Sequence, residues 1–526
     1  MKLTSVKAII FISSCLLGAI SDTYATYEYG FVGKVDSYWN TDGNWVIIDQ
    51  TDWTREDFEG IPTSDDLITL EHSVILNSDV TTPTLMTSYG TATTVVNIED
   101  GYALTLNSGG TGSSNDVISM RGNTKNESGH NEILEFESGN INITKIGAPG
   151  TSTPNSPTYI RLNSNGEEGT YTKNMIFGAN ATVNSTEDLS FVGLTKNSSI
   201  VDFNGAFTAE YESIGRSVTF QNITSNVNFG ATLNIGRLQL ISSTLNIDGI
   251  LNVNGANTPD AASGNALKDA TMVINAASSV QLNGTLNLTG AKDKENIVLY
   301  GSFTIGKDGV LNMSGGYGTL QVFEGGVLTV NSGKDTLEVE GCLRLWGGGK
   351  IIFNSTDAYY GDFNSNRTNG IWMSSDTVNE TKMAYLEINA DNHLGGLCFG
   401  RTVEGINKPK LTLTLGETEG LLLELDYLTV SMDTNDGYLC DNAVLNIENF
   451  RNYTIKLLYG LRDENSLGVK DDLSLITADG YENFYLEEIE GGGYWLNAHP
   501  IPEPSAAVLI FGIAAIGAVA IRRRQK

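Results

Sequence analysis

The amino-acid sequence predicts an all-β protein whose favoured arrangement is a parallel β-solenoid, or β-helix, followed by one C-terminal transmembrane helix. The 526 residues include 58 glycines but only 10 prolines. Short runs of alternating apolar and polar residues recur between glycine-containing turns, which is the pattern of β-strands. Apolar residues spaced for a long amphipathic helix do not occur between Thr26 and His499. These observations favour strands throughout the body of the chain.

The repeated unit is a strand, a turn with Asn-Gly or Asp-Gly, and a second strand. It occurs as VNIEDGYALTLNSG from Val96, LNIDGILNVNG from Leu245 and VQLNGTLNLTG from Val280. Leu, Val and Ile alternate with Asn, Thr and Ser, so the apolar side chains are expected on one side of each strand and the polar ones on the other. We expect corner glycines such as Gly284 and Gly326 to hold a positive φ.

Repetition of one small unit along a long chain favours a solenoid, in which each turn stacks on the one before it. Uneven spacing of the corner glycines is compatible with turns that carry loops of different length. The same dipeptides also close two-residue hairpins, so antiparallel β-sandwich modules are the alternative.

The N-terminus predicts a secretory signal peptide over residues 1–25. Lys2 and Lys7 precede an apolar run from Ala8 to Ile20, and polar residues with the small pair Thr23 and Ala25 follow it. This order of charge, apolar core and cleavage site is typical of exported proteins, with cleavage expected after Ala25. A less favoured reading makes Cys15 a lipoprotein-type cleavage site, but the apolar core continues beyond it.

Four regions follow the signal peptide, the last being the C-terminal residues 501–526. Residues 26–95 are expected to form an N-terminal cap and the first strands, residues 96–480 a repetitive β body, and residues 481–500 a linker. Trp39, Trp45 and Trp53 fall in the first of these. Clustered aromatic rings would cover the open end of a solenoid with a large apolar area. A sugar-stacking platform is the alternative role of these tryptophans.

The C-terminal residues predict a membrane anchor. Ser505 to Ile521 contains no charged residue, and Arg522, Arg523 and Arg524 follow it at once. A basic cluster after an apolar span marks the side that remains in the cytoplasm. We therefore expect the arginines to stop transfer, with the body outside and the tail inside.

Directly before this segment lie Pro502, Glu503 and Pro504. The order of Pro-Glu-Pro, apolar helix and arginine cluster resembles the PEP-CTERM sorting signal of exported bacterial proteins, and it sets residues 501–526 apart as the sorting signal. The resemblance implies that an exosortase, a membrane-embedded cysteine protease-transpeptidase, recognises these three residues and cuts nearby. The body would then reach the cell surface or an extracellular polysaccharide matrix. The prolines fix an extended backbone and keep the tripeptide out of the helix.

The start of the mature chain also resembles a group of surface proteins. Three tryptophans, the turn Gly60-Ile61-Pro62 and paired short strands from Asp66 are similar to the opening of repeat-rich, autotransporter-like proteins that often carry the same C-terminal signal. This resemblance implies a β-helix body at a cell surface.

Charge and cysteine content exclude several functions. The chain has 62 acidic against 32 basic residues and a formal net charge of −30, which argues against nucleic-acid binding. After removal of the signal peptide only Cys342, Cys398 and Cys440 remain, and their spacing fits neither a disulfide framework nor a zinc site. Whether Cys398 and Cys440 pair stays open. No metal site and no cofactor is predicted.

Candidate catalytic groups are dispersed. Adjacent carboxylates on a strand point to opposite faces and cannot both flank one glycosidic bond, and the histidines are far apart in sequence. The pairs are Asp65-Asp66, Glu167-Glu168, Asp471-Asp472 and Glu487-Glu488, and the histidines are His72, His130, His393 and His499. No catalytic residue is predicted, so we expect a protein that is not an enzyme.

The sequence predicts a structural or adhesive protein of a cell surface or matrix, with exosortase and an exopolysaccharide as partners. The alternative is a carbohydrate-active β-helix enzyme, either a polysaccharide lyase or a glycosidase.

Overall fold

The computed structural model describes most of the chain between Glu28 and Ile501. The described residues are 28–49, 54–87, 93–109, 115–120, 131–146, 149–153, 156–162, 172–194, 198–256, 270–291, 294–316, 318–360, 370–374, 382–399, 410–429, 444–458, 473 and 476–501. The chain divides into two compact units, Met1–Leu320 with Glu338–Glu340, and Gln321–Leu337 with Gly341–Lys526. The predicted repetitive body, 96–480, is therefore shared between two units.

Short β-strands make up most of both units, which confirms the all-β class. In chain order the first strands are β1 Glu28–Phe31, β2 Trp45–Ile48, β3 Arg55–Phe58, β4 Leu67–Leu70, β5 Val74–Leu76, β6 Val80–Thr82, β7 Leu85–Thr87, β8 Thr93–Ile98, β9 Ala103–Ser108, β10 Asp116–Met120, β11 Asn131–Lys145, β12 Thr158–Leu162, β13 Thr172–Ser185, β14 Leu189–Val192, β15 Ser198–Phe203, β16 Ala206–Tyr211, β17 Ile214–Gly215, β18 Ser217–Gln221, β19 Thr224–Val227, β20 Thr232–Ile235, β21 Arg237–Ile241 and β22 Thr244–Ile247.

The remaining strands continue this pattern, and a 3₁₀ turn, Phe450–Asn452, precedes β41. They are β23 Ile250–Asn254, β24 Ala270–Ile274, β25 Ser279–Leu282, β26 Thr285–Gly290, β27 Glu295–Leu299, β28 Ser302–Ile305, β29 Val310–Gly315, β30 Leu320–Val322, β31 Val327–Val330, β32 Leu337–Val339, β33 Cys342–Trp346, β34 Lys350–Phe353, β35 Gly370–Ser374, β36 Ala384–Ile388, β37 Asn392–Phe399, β38 Lys410–Leu415, β39 Leu421–Thr429, β40 Val444–Glu448, β41 Tyr453–Leu457, β42 Ile476–Ala478, β43 Tyr481–Glu488 and β44 Tyr494–Pro500.

In the first unit, most strands pair with strands of the next turn, whereas β1–β2, β2–β3 and β16–β17 are consecutive pairs that run antiparallel. One column of parallel strands runs β14, β18, β21, β24, β27, a second runs β15, β19, β22, β25, β28, and a third runs β16, β20, β23, β26, β29. Three columns of this kind are consistent with a β-solenoid. The pairing contradicts the alternative of hairpin-built antiparallel sandwiches, because the strands on either side of an Asp-Gly turn are not partners.

Alternation along each strand builds the core of the first unit. Phe136, Phe177 and Phe203 occupy equivalent positions of neighbouring strands and stack with ring centroids 5.5 and 5.4 Å apart. All three are buried, and Val227 and Ile247 continue the same buried row. The apolar residues seen in the sequence therefore form rows that run across the strands.

Glycine is required at the turn corners for a different reason from the one expected. Gly284 does not hold a positive φ and neither does Gly326, whereas the neighbouring Gly325 does, with a φ of 79°. A Cβ on Gly284 would lie only 2.1 Å from the carbonyl oxygen of Gly249. Close approach of two turns, rather than an unusual backbone angle, therefore requires glycine at position 284.

The second unit has two columns of parallel strands. One runs β31, β34, β36, β38, β40, β42, and the other runs β33, β35, β37, β39, β41. The segment expected to be a linker, 481–500, instead contains β43 and β44, which pair as an antiparallel hairpin. β44 also pairs antiparallel with β41. Strand formation therefore continues up to the predicted sorting signal.

Candidate functional site

The site residues predicted from the sequence lie outside the described residues. They are the tripeptide Pro502, Glu503 and Pro504, the stop cluster Arg522, Arg523 and Arg524, and the cleavage residue Ala25. The last described residue before the tripeptide is Ile501, whose backbone N–H donates a hydrogen bond to the carbonyl oxygen of Gly480 at 2.9 Å. The folded hairpin β43–β44 therefore extends to the residue next to the tripeptide.

Two outer faces of the first unit carry polar but uncharged side chains. We call them the neutral faces: the outward side chains of β19, β22, β25, β28 and of β20, β23, β26, β29. These eight strands contain no Asp, Glu, Lys or Arg, although the whole chain has 94 charged residues, 62 acidic and 32 basic. Their outward positions hold mainly Thr, Asn and Ser, as in the half-buried Thr232 and Asn234 of β20. Both faces are therefore electrically neutral on a strongly acidic protein.

Asparagine side chains link the strands of one neutral face. Asn252 donates from Nδ2 to Oδ1 of Asn234, Asn287 donates to Asn252, and Asn312 donates to Asn287, each at 2.8 Å. A side-chain amide has two N–H groups and two acceptor lone pairs. Each inner asparagine therefore uses one donor and one acceptor within the row, and its second donor and acceptor remain for solvent or a ligand.

Two of the three tryptophans of the predicted cap, Trp39 and Trp45, are described by the structure and are buried, which argues against the sugar-stacking role; the capping role stays a prediction. Trp39 and Trp45 are 3% and 0% exposed, and their rings lie 4.7 Å apart edge to face. Trp45 also donates from Nε1 to the carbonyl oxygen of Trp39 at 3.0 Å. Because these ring faces are covered, neither residue can stack on a sugar. Trp53 lies outside the described residues.

A histidine, a carboxylate and a tyrosine meet on the second unit. Nε2 of His393 lies 2.8 Å from Oδ1 of Asp426, and the Tyr360 hydroxyl donates to Oδ2 of Asp426 at 2.9 Å. Asp426 is 4% exposed, while Tyr360 is half exposed. Sequence reasoning missed this cluster because the three residues come from distant turns. It is an arrangement that can hold or transfer a proton at the surface.

Two buried ionic groups have shifted pKa values in the first unit. Burial raises the pKa of Asp188 to about 6, although its carboxylate accepts a hydrogen bond from the Ser217 N–H at 2.6 Å and faces Arg216 at 3.7 Å. Burial lowers the pKa of Lys173 to about 8, and its ammonium group pairs with Glu132. Both groups are buried, Asp188 at 4% and Lys173 at 3% exposure, so neither is open to a large ligand.

The described residues show neither a metal-binding cluster nor a membrane-spanning helix. Across the described residues, no three side chains of His, Cys, Asp or Glu converge as a group that could hold a metal ion. Within those residues there is also no helix of sufficient length and apolarity to span a membrane. The predicted span from Ser505 to Ile521 lies outside them and stays a prediction.

Comparison with known proteins finds a sorting motif at the C-terminal end of the chain. The PEP-CTERM protein-sorting motif matches residues 500–524, which include the predicted tripeptide. The match supports an exported protein that is sorted at the membrane through exosortase. No curated protein and no solved structure matches the chain. The similarity of its body to autotransporter-like surface proteins therefore stays a prediction.

Proposed function

We propose that this protein is exported, processed by exosortase at Pro502 to Pro504, and retained at a bacterial cell surface or in an extracellular matrix. Its body has a structural or adhesive role and is not an enzyme. In this proposal the segment from Ser505 to Ile521 holds the chain in the membrane until it is cut. The sorting step is supported by the motif match over residues 500–524.

The proposed role of the body rests on the neutral faces. A protein with a net charge of −30 repels polyanions, but the eight strands of these faces contribute no charge to that repulsion. Hydroxyl and amide groups at regular strand spacing, about 4.8 Å, offer repeated donors and acceptors to a long polymer that is itself neutral. We therefore assign a neutral exopolysaccharide as the ligand of the neutral faces.

Binding to the host polysaccharide tests this assignment. Thr232→Glu combined with Thr285→Glu places two charges on one neutral face, and we expect co-sedimentation of the exported protein with neutral polysaccharide to fall. Phe229→Glu is the control, because Phe229 is 91% exposed at a turn beside the face. Equal binding by native protein and the double variant would contradict the assignment.

The cluster of Tyr360, His393 and Asp426 favours a second candidate function, a carbohydrate-active enzyme. A histidine held by a buried carboxylate is a common general base. The discriminating assay is incubation of the native chain and of His393→Ala with the host polysaccharide, followed by measurement of polymer length. We expect no shortening by either protein. Shortening by the native chain that is lost in His393→Ala would establish the enzyme instead.

A further inference from the structure

The last strand of the second unit is held in two different ways along its length. Tyr494 and Trp495 of β44 pair with β41 on one edge and with β43 on the other. From Leu496 onwards the described pairing is with β43 alone. The outer half of β44 is therefore one arm of a two-stranded ribbon, a structure of marginal stability in water.

The outer arm is held on β43 by backbone pairing, including the bond from the Ile501 N–H to the carbonyl oxygen of Gly480, and by two side-chain contacts. The ring of His499 stacks on Tyr485 with centroids 5.0 Å apart, and Nδ2 of Asn497 donates to Glu487 at 2.6 Å. The ladder is interrupted between Glu482 and Tyr485, where the register shifts. His499 and the residues after it are exposed, so the opening of this arm uncovers little apolar surface.

β43 itself is fixed independently of the arm. Phe450, in the 3₁₀ turn, contacts the rings of Tyr481 and Phe484 edge to face, with centroids 5.1 and 5.4 Å apart. These contacts do not involve β44. If the arm leaves, β43 keeps its place on the second unit.

The position of the arm matters because Pro502 follows Ile501 directly. A peptidase commonly binds its substrate as an extended strand whose backbone pairs with the enzyme. On the body side of the tripeptide, that strand is the arm, and one of its backbone edges is occupied by β43. The folded hairpin and a peptidase therefore compete for the same backbone groups.

We infer that residues 497–501 form a releasable arm, which opens from β43 and pairs with exosortase as the body-side part of its substrate. This inference rests on the proposed sorting function and adds a recognition element to it. The enzyme pairs with the backbone of the segment directly before the tripeptide, so it needs that segment extended and free rather than a particular set of side chains. Hairpin opening then precedes cleavage, and the stability of the ribbon sets how fast the body is released.

A pair of disulfide locks tests the arm in the full-length protein expressed in its native host. Glu482→Cys with His499→Cys joins directly opposed residues at the outer end, and Glu488→Cys with Tyr494→Cys joins opposed residues at the inner end. Opposed residues in antiparallel strands are close enough for a disulfide. The inner lock is the matched control because it leaves the arm free. The four single-cysteine variants control for pairing with other thiols.

The measured quantity is the fraction of chains with a shortened C-terminus, determined by mass. With the outer lock, we expect processing about tenfold slower than native or more, because the open arm is then rarely populated. The inner lock should be processed like the native chain. Reductant should restore the outer-lock variant, and so should a Gly-Ser-Gly-Ser insertion between Ile501 and Pro502, which supplies an extended segment without hairpin opening.

The outcomes separate the arm from the sorting function. Native-like processing of the outer lock would overturn the arm while leaving sorting intact. A block that neither reductant nor the insertion relieves would also overturn it, because the variant would then be defective for another reason. An unprocessed native chain would instead refute the proposed function on which the arm depends.

Discussion

Replacement of Gly284 by alanine tests how closely the turns of the first unit stack. The new Cβ would lie 2.1 Å from the carbonyl oxygen of Gly249, whereas ordinary contact begins at 3.4 Å. The two turns must therefore separate locally by about 1.3 Å, the difference between these distances. Backbone cannot move aside as a flexible side chain can, so the strain falls on the hydrogen bonds at this corner.

Two of these bonds set the expected loss. The Gly284 N–H donates to the carbonyl oxygen of Ile247 at 2.7 Å, and the Thr285 N–H donates to that of Gly249 at 2.9 Å. A separation of this size breaks or strongly weakens both. Each bond contributes about 0.5–1.5 kcal/mol, and a buried group left unpaired adds about 1–3 kcal/mol. We expect Gly284→Ala to lower the free energy of unfolding by about 2–4 kcal/mol.

Gly230→Ala is the control, since it tests backbone angle without crowding. Gly230 has a φ of 86°, and a Cβ there would meet nothing within 4 Å, so only the left-handed backbone is penalised, by about 1 kcal/mol. The assay is urea unfolding of the exported protein followed by circular dichroism, with the midpoint compared at equal slope. A loss for Gly230→Ala equal to or larger than that for Gly284→Ala would refute the stacking argument.

Three further predictions use the same protein. Burial raises the pKa of Asp188 from 3.8 to about 6, so the folded chain keeps a proton that the unfolded chain releases, and stability should fall as pH rises from about 4 to about 6. Asp188→Asn should remove this dependence of stability on pH, and an unchanged dependence would show that Asp188 does not cause it. Asn252→Leu removes one donated and one accepted bond of the amide row and should lower the free energy of unfolding by about 1–2 kcal/mol; unchanged urea unfolding would argue against the row. N-terminal sequencing should begin at Thr26, and a retained Met1 would show that no signal peptide is removed.

Local pattern was enough to predict the strands. In Leu245-Asn246-Ile247 the alternation alone separates the buried from the exposed side chains, because the period of a strand is two residues. The role of Gly284 was not predictable in this way. Its contact with Gly249 depends on which turn stacks on which, and that is decided by pairing between residues 35 positions apart, as in the bond from Asn283 to Asp248.

The sorting tripeptide was predicted because its residues are contiguous in sequence. The cluster of Tyr360, His393 and Asp426 was missed because its residues are not. Pro502, Glu503 and Pro504 form a linear motif, so the sequence was sufficient to find them. The contact of His393 with Asp426 joins residues 33 positions apart, and the contact of Tyr360 with Asp426 joins residues 66 positions apart. No local pattern reports such distances.

The hairpin β43–β44 was also missed. Its glycines, from Gly491 to Gly493, and its many glutamates resemble a linker. The aromatic residues of both strands were the available signal, since they favour strands. Pairing of β44 with β41 then adds tertiary support that composition does not reveal.

The central claim is that Pro502, Glu503 and Pro504 direct cleavage of an exported chain, and the mass of the mature C-terminus tests it most directly. The measurement compares the native chain with a variant in which all three residues are alanine, after fractionation of the native host. We expect the native protein outside the membrane in a shortened form, and the variant in the membrane at full length, because its export signal and apolar segment are unchanged. Native protein that still ends at Lys526 would contradict the claim.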